Sequence, residues 1–214
     1  MKSLFNLDNP VMQFLSRVAD IMLLNILTLV CSLPIITAGA ALSALHKVCQ
    51  DIVFETEGGV LAPFFQAFRG NFKQATLAWI GELLAAAVMI CDAFLVATYF
   101  RGNFVMYVLL VLTTFLGLGV CCYLTPLIAR YSNTLRRHLV NAIILTVARL
   151  PRTLILEVLS ALPVLLFLYA PAFFARTSVF WMAVGFAAVA LAQEYVLRGV
   201  FRQLEKRNQP AAEA

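Results

Sequence analysis

Charge is scarce in this chain: only 13% of the residues are Asp, Glu, Lys or Arg. None of them interrupts the run from Ile21 to Leu45, bounded by Asp20 and His46. With 62% hydrophobic residues and a mean hydropathy of +0.89, a soluble domain would leave too much apolar surface in water. Catalytic and nucleotide-binding motifs are missing as well. There is no P-loop, His-Glu-x-x-His, Gly-x-Ser-x-Gly or dinucleotide fingerprint. Without a nucleotide-binding loop the chain has no means of powering transport alone. No enzymatic activity, metal or cofactor is expected. The five cysteines form no Cys-x-x-Cys pair, and adjacent Cys121 and Cys122 point about 100° apart on a helix, too divergent to grip one metal. The two histidines, His46 and His138, are far apart in sequence, and His138 beside Arg136 and Arg137 reads as solvated.

What the chain has instead is long apolar stretches. About 20 apolar residues rising ~1.5 Å each cover a ~30 Å hydrocarbon core. Five segments qualify, at about 21–45, 75–98, 104–129, 153–175 and 178–197. The expectation is an all-α, polytopic membrane bundle of five transmembrane helices with amphipathic helices on the cytoplasmic side. Residues 1–202 then form one membrane domain, and the polar residues 203–214 a disordered tail. Ala38-Gly39-Ala40 imitates a signal-cleavage site, but the apolar run is too long for a signal peptide and starts twenty residues in.

The net charge of +5 resolves into a topology. If all five segments cross, one side collects Lys47, Arg69, Lys73, Arg130, Arg136, Arg137, Arg149, Arg152, Arg198, Arg202, Lys206 and Arg207. Lys2, Arg17, Arg101 and Arg176 fall on the other. Basic flanks stay cytoplasmic, which puts the C-terminus inside and the N-terminus outside. Pro34, near the middle of the first segment, leaves a second arrangement open. If that segment re-enters, Lys2 and Arg17 join the inside.

Two connections carry amphipathic patterns. Asn9 with Pro10 marks the start of a short interfacial helix. After Gly58-Gly59, the rings of Phe64, Phe68 and Phe72 fall four residues apart, with Arg69 and Lys73 off the stripe. This suits a helix in the headgroup region, each cation contributing about 1 kcal/mol toward an anionic leaflet. A partner-docking helix or a helix packed under the bundle would show the same spacing. Leu135, Leu139, Ile143, Val147 and Leu150 make a second stripe, which Pro151 ends.

Ionisable residues inside apolar spans need an account. Glu82 lies about two and a half turns into the second span, and Asp92 about 80° further round the same helix. They read either as groups that pin helix packing or as an ion or proton relay. Glu194 has Arg198 one turn on, and Glu157 lies close to Arg152, so both read as interfacial anchors. Pro34, Pro126, Pro163 and Pro171 are candidate helix kinks. Small residues such as Gly81 and Ala85 offer close contacts within the bundle or between protomers of a homo-oligomer.

Asp8-Asn9-Pro10, Leu24-Asn25 and the run Cys31-Ser32-Leu33-Pro34-Ile35-Ile36-Thr37-Ala38-Gly39 resemble the opening of the YesL family of bacterial integral membrane proteins. The stretch Phe64-Phe65 to Thr76 and the pair Asn141-Ala142 with Leu150-Pro151-Arg152-Thr153 are similar to its later signatures. The resemblance implies a multi-span protein of the bacterial plasma membrane with no established biochemical activity. Such proteins often occur near sugar-uptake transporters. The expected partners are therefore membrane lipid and components of a carbohydrate transporter, and not nucleic acid. The function expected is an accessory subunit associated with carbohydrate uptake. The alternative is a small solute or ion transporter or channel using Glu82 and Asp92.

Overall fold

The computed structural model describes residues 10–56 and 59–208. The fold is 91% helical with no strand among the described residues. Five helical stretches are long and apolar enough to cross a membrane: Met12–Ser32, Leu61–Tyr99, Phe104–Arg130, Leu150–Tyr169 and Ser178–Glu205. The chain is thus an all-α bundle of the polytopic kind.

The charge-free run at the N-terminus is two helices rather than one span from 21 to 45. Helix α1 covers Pro10–Ser32 and α2 covers Ala38–Val53, separated by Pro34 and a 3-10 turn at Ile35–Thr37. Pro34 has no N–H to continue the ladder and disfavours helical geometry in the residue before it. The Thr37 hydroxyl closes the turn by donating to the carbonyls of Cys31 and Pro34 at 2.6 and 2.8 Å. Pro34 therefore ends a helix instead of kinking one. Asn9 and Gly58 lie outside the described residues.

After the break the chain folds back. Asn25 in α1 bonds the N–H of Ala187, and His46 in α2 bonds Glu194. Those two points on the last helix are seven residues, about 10 Å, apart, whereas a straight helix from 25 to 46 would separate them by about 31 Å. Helix α2 then occupies the centre of the bundle, buried on nearly every face. Its start, Ala38-Gly39-Ala40-Ala41 with Ser43 and Ala44, carries almost no side-chain bulk, which lets neighbouring backbones approach. A Cβ on Gly39 would lie 2.4 Å from Cβ of Trp79 and 2.5 Å from the Ala75 carbonyl oxygen.

Helix α3 is one unbroken rod of 39 residues, Leu61–Tyr99, about 58 Å long. It joins the aromatic stripe to the second apolar segment without a boundary. Its first half packs on α2 through Asn71, which donates to the Ser43 hydroxyl at 3.2 Å. A turn with Gly102 at φ +85° leads to Asn103. The Asn103 side chain caps helix α4, Phe104–Arg130, by accepting from the N–H groups of Val105 and Met106. Helix α5, Leu135–Ala148, is followed by α6, Leu150–Tyr169, with Pro151 in its first turn. The expected fourth span to residue 175 stops at Tyr169. Pro171 opens a separate short helix, α7, Pro171–Arg176. Of the four candidate kinks, only Pro126 and Pro163 sit inside helices.

The last span starts as α8, Ser178–Phe180, widens into a π-turn at Trp181–Gly185, and continues as α9, Phe186–Asn208. Residues 203–208, expected to be disordered, extend this helix, and residues 209–214 lie outside the described part. Two apolar cores flank α2. One holds Tyr123, Leu127, Leu156, Leu197 and Phe201; the other holds Leu24, Leu45, Val48, Phe64 and Ala187.

Candidate functional site

The interior carries a polar network anchored on α2. His46 Nδ1 lies 2.7 Å from Glu194 Oε1. Gln50, one turn on, donates to the same carboxylate oxygen at 3.2 Å and to the Pro126 carbonyl at 3.0 Å. Glu194 is fully buried. Its partner is thus a residue 148 positions away, not Arg198 one turn along its own helix. One carboxylate oxygen binds α2 twice, while Gln50 adds α4, so three helices meet at one acid. Beside it, Gln193 donates to the Ser160 hydroxyl at 2.7 Å, and Ser160 lies 3.2 Å from the Cys122 sulfur. The first set of bonds joins α2, α9 and α4, and the second, separate set joins α9, α6 and α4.

A second polar anchor explains the π-turn. Asn25, also fully buried, donates to the carbonyls of Trp181 and Met182 at 3.1 and 2.7 Å. Its oxygen accepts from the Ala187 N–H at 2.9 Å. A π-turn misaligns the regular i to i−4 ladder, and one amide supplies both donor and acceptor to its loose ends. Leu24-Asn25 entered the sequence reading only as part of a resemblance. An Asn inside an apolar span was the available signal.

Glu82 and Asp92 are not brought together. Glu82 lines a lateral cleft of about 520 Å³ between α3, α4 and α5, whose other walls include Gly81, Gly117 and Cys121. One oxygen of Glu82 is buried without a hydrogen-bond partner among the described residues. Asp92 is exposed on the outer surface of α3, flanked one turn away on the same face by the exposed side chains of Val88 and Leu95. Glu157 is half-buried on the other side of α4. A Cβ on Gly119 would approach Thr146, Thr153 and Glu157 to between 2.5 and 3.1 Å. Only a glycine lets α4 pass between α5 and α6 at this point.

The aromatic stripe turns inward. Phe64 has no exposed surface and sits in the core with Leu45 and Val48. Phe68 and Phe72 are half-buried, their rings 5.7 Å apart, and Phe68 touches both cores. Arg69 and Lys73 remain exposed. The Phe64 ring therefore packs against α2, where lipid has no access to it. On α5 the arrangement is reversed. Leu139, Ile143 and Val147 face outward, and the buried side carries His138, Ala142, Leu145 and Thr146. His138, expected in solvent, has no exposed surface, and burial pushes its pKa below the usual histidine value. Apolar stripes point to lipid here because lipid is as apolar as leucine, leaving small and polar residues for helix contacts.

At the end of the bundle marked by Arg130, its guanidinium lies 3.9 Å from the centre of the Phe54 ring and bonds Glu205. Arg149 donates to Gln203. These contacts tie the end of α9 to the rest.

Fold and interior together define a helical membrane protein with a polar core and a lateral cleft. Residues 21–93 match the model of a family described as Protein of unknown function, DUF624. That match spans α1 from Ile21, all of α2 and most of α3, and includes His46, Gln50 and Glu82 but not Glu194. No curated protein and no solved structure matches the chain.

Proposed function

We propose that this chain is an accessory subunit of the plasma membrane associated with carbohydrate uptake, docking to its partner through the outer surface of α3. The observation that carries the docking is Asp92. It is an acid exposed among exposed apolar side chains on a membrane-spanning helix, and no ion pair engages it among the described residues. Left to lipid, such a group costs roughly 2.5–3.5 kcal/mol, which a donor on a partner helix offsets. The carbohydrate link and the bacterial setting rest on the resemblance to the YesL family alone. The match to a family of unknown function is compatible with them and goes no further.

The fold-back between α1 and α2 supports the second of the two arrangements open from the sequence, in which the first segment re-enters. With no net crossing between Pro10 and Val53, both ends of the described chain share one side. Arg17 then joins the basic residues there, leaving Arg101 and Arg176 opposite, a stronger bias of the positive-inside kind. We take that shared side as cytoplasmic.

The test is purification of the tagged full chain in mild detergent. Transporter components should co-purify with the wild type and fall about tenfold with Asp92→Leu. A solitary chain under conditions that preserve other membrane complexes would overturn the reading. The unpartnered oxygen of Glu82 favours a second reading, a small solute or ion transporter. Under that reading the purified chain alone carries flux in proteoliposomes, and Glu82→Gln changes it.

A further inference from the structure

One stripe of α3 changes character along its length. Gly70, Asn71 and Gln74 line a polar recess of about 380 Å³ together with Thr134 and Arg137. One turn further, Leu77, Ala78, Gly81 and Ala85 line the apolar cleft of about 520 Å³, whose opposite wall starts at Leu135. These α3 positions recur at three- and four-residue intervals, which places them on one face of the helix. Thr134 and Leu135 are consecutive, and Gln74 is one turn from Leu77 and Ala78. The recess and the cleft therefore meet end to end. The cleft opens sideways toward lipid, since Leu77 is 58% and Val147 55% exposed. Arg137 also borders a second polar recess, with Arg136 and Asn141. The polar end thus presents two guanidinium groups with side-chain amides, and the residues lining its two recesses include no acid. Glu82, the acid of the cleft, lies eight residues from Gln74, about 12 Å along α3.

We propose that this groove holds one anionic phospholipid, with its phosphate at Arg137 and an acyl chain in the cleft. A planar guanidinium matches a phosphate through paired hydrogen bonds, and Asn71 and Gln74 supply neutral groups beside it. The acyl end has room: a Cβ on Gly81 meets nothing within 4 Å. Asp92 lines neither part of the groove, so the lipid proposal does not rest on the accessory-subunit reading.

The experiment uses the full chain reconstituted in vesicles of phosphatidylglycerol and phosphatidylethanolamine, extracted gently and weighed by native mass spectrometry. The wild type should retain one phosphatidylglycerol in preference to phosphatidylethanolamine. Arg137→Gln should reduce that preference about fivefold, the factor equivalent to the ~1 kcal/mol a basic residue contributes near an anionic surface. Gly81→Leu should fill the cleft and lower retained lipid of both kinds. Arg69→Gln, exposed on α3 away from the groove, should change the preference less than about twofold. Equal effects of Arg137→Gln and Arg69→Gln would reduce the attraction to general surface charge and overturn the proposal. Retention undiminished in Gly81→Leu, or a wild type that retains no lipid, would overturn it too.

Discussion

Replacing Glu194 by leucine tests whether the polar core holds the bundle together. The acid is fully buried, and one of its oxygens serves both His46 and Gln50. Deleting it strips His46 of its partner and leaves Gln50 with the Pro126 carbonyl alone. Removing one member of a buried pair costs about 3–5 kcal/mol. Polar contacts between membrane helices average only about 0.6 kcal/mol, because an unfolded chain in the bilayer finds other partners. Here the acid lies inside the protein and bonds two side chains, so a loss of about 3 kcal/mol is expected. Glu194→Gln keeps an acceptor oxygen and should lose about 1 kcal/mol, the worth of an ordinary hydrogen bond. The double variant His46→Leu with Glu194→Leu exchanges a desolvated pair for apolar contact. It should be more stable than Glu194→Leu alone. Titration with a denaturing detergent in mixed micelles, followed by circular dichroism, measures the wild type, these three variants and the single variant His46→Leu. Equal losses for leucine and glutamine at 194, or strictly additive single effects, would refute a coupled network.

Gly39→Ala should destabilise the bundle by about 1–3 kcal/mol in the same titration, because its Cβ would fall 2.4 Å from Trp79 and 2.5 Å from the Ala75 oxygen. Gly81→Ala, which meets nothing within 4 Å, should be near neutral, and a matching loss at both sites would count against the close α2–α3 approach. For the topology, a cysteine at Gln13 in a chain lacking the native five should resist an impermeant thiol reagent in intact cells and react after permeabilisation. A cysteine at Arg101 should react in both, and the opposite pattern would return the N-terminus to the outside.

The long helices were legible because hydropathy over twenty residues reports a spanning helix almost directly. Helix α4 falls within a residue of its expected limits, and α3 contains the expected segment whole. The same signal merged α1 and α2 into one segment and left its path open, since freedom from charge says nothing about chain direction. Its two cues were Pro34 and the small residues from Ala38 to Ala44, and only the structure shows that α2 is walled by protein rather than lipid. The orientation of Phe64 was illegible for a related reason. A ring can face acyl chains or an apolar core with the same helical spacing, and the choice depends on what α2 offers opposite. The partner of Glu194 could not be found from spacing at all. Local sequence offered Arg198 at i+4, but a pair separated by 148 residues exists only once α2 and α9 lie side by side.

The polar groups divide into two sets with different physical tasks. Asn25, His46, Gln50 and Glu194 meet protein partners, and every such contact crosses between α1 or α2 and the helices packed on them. That half of the bundle is specified by directional bonds between helices that shape alone would hold only loosely, since apolar side chains gain little by leaving lipid. Glu82, Asp92 and Arg137 occupy the α3–α5 side, where α3 and α4 expose most of their apolar surface. Each lies on a surface open to a second molecule, at a cleft, an outer helix face and a polar recess. Groups that face outward are free to change partner without unmaking the fold, whereas exchange at Glu194 breaks it. If the two proposals hold, the α3–α5 face binds, and loss of stability should separate from loss of binding when substitutions on the two sides are compared.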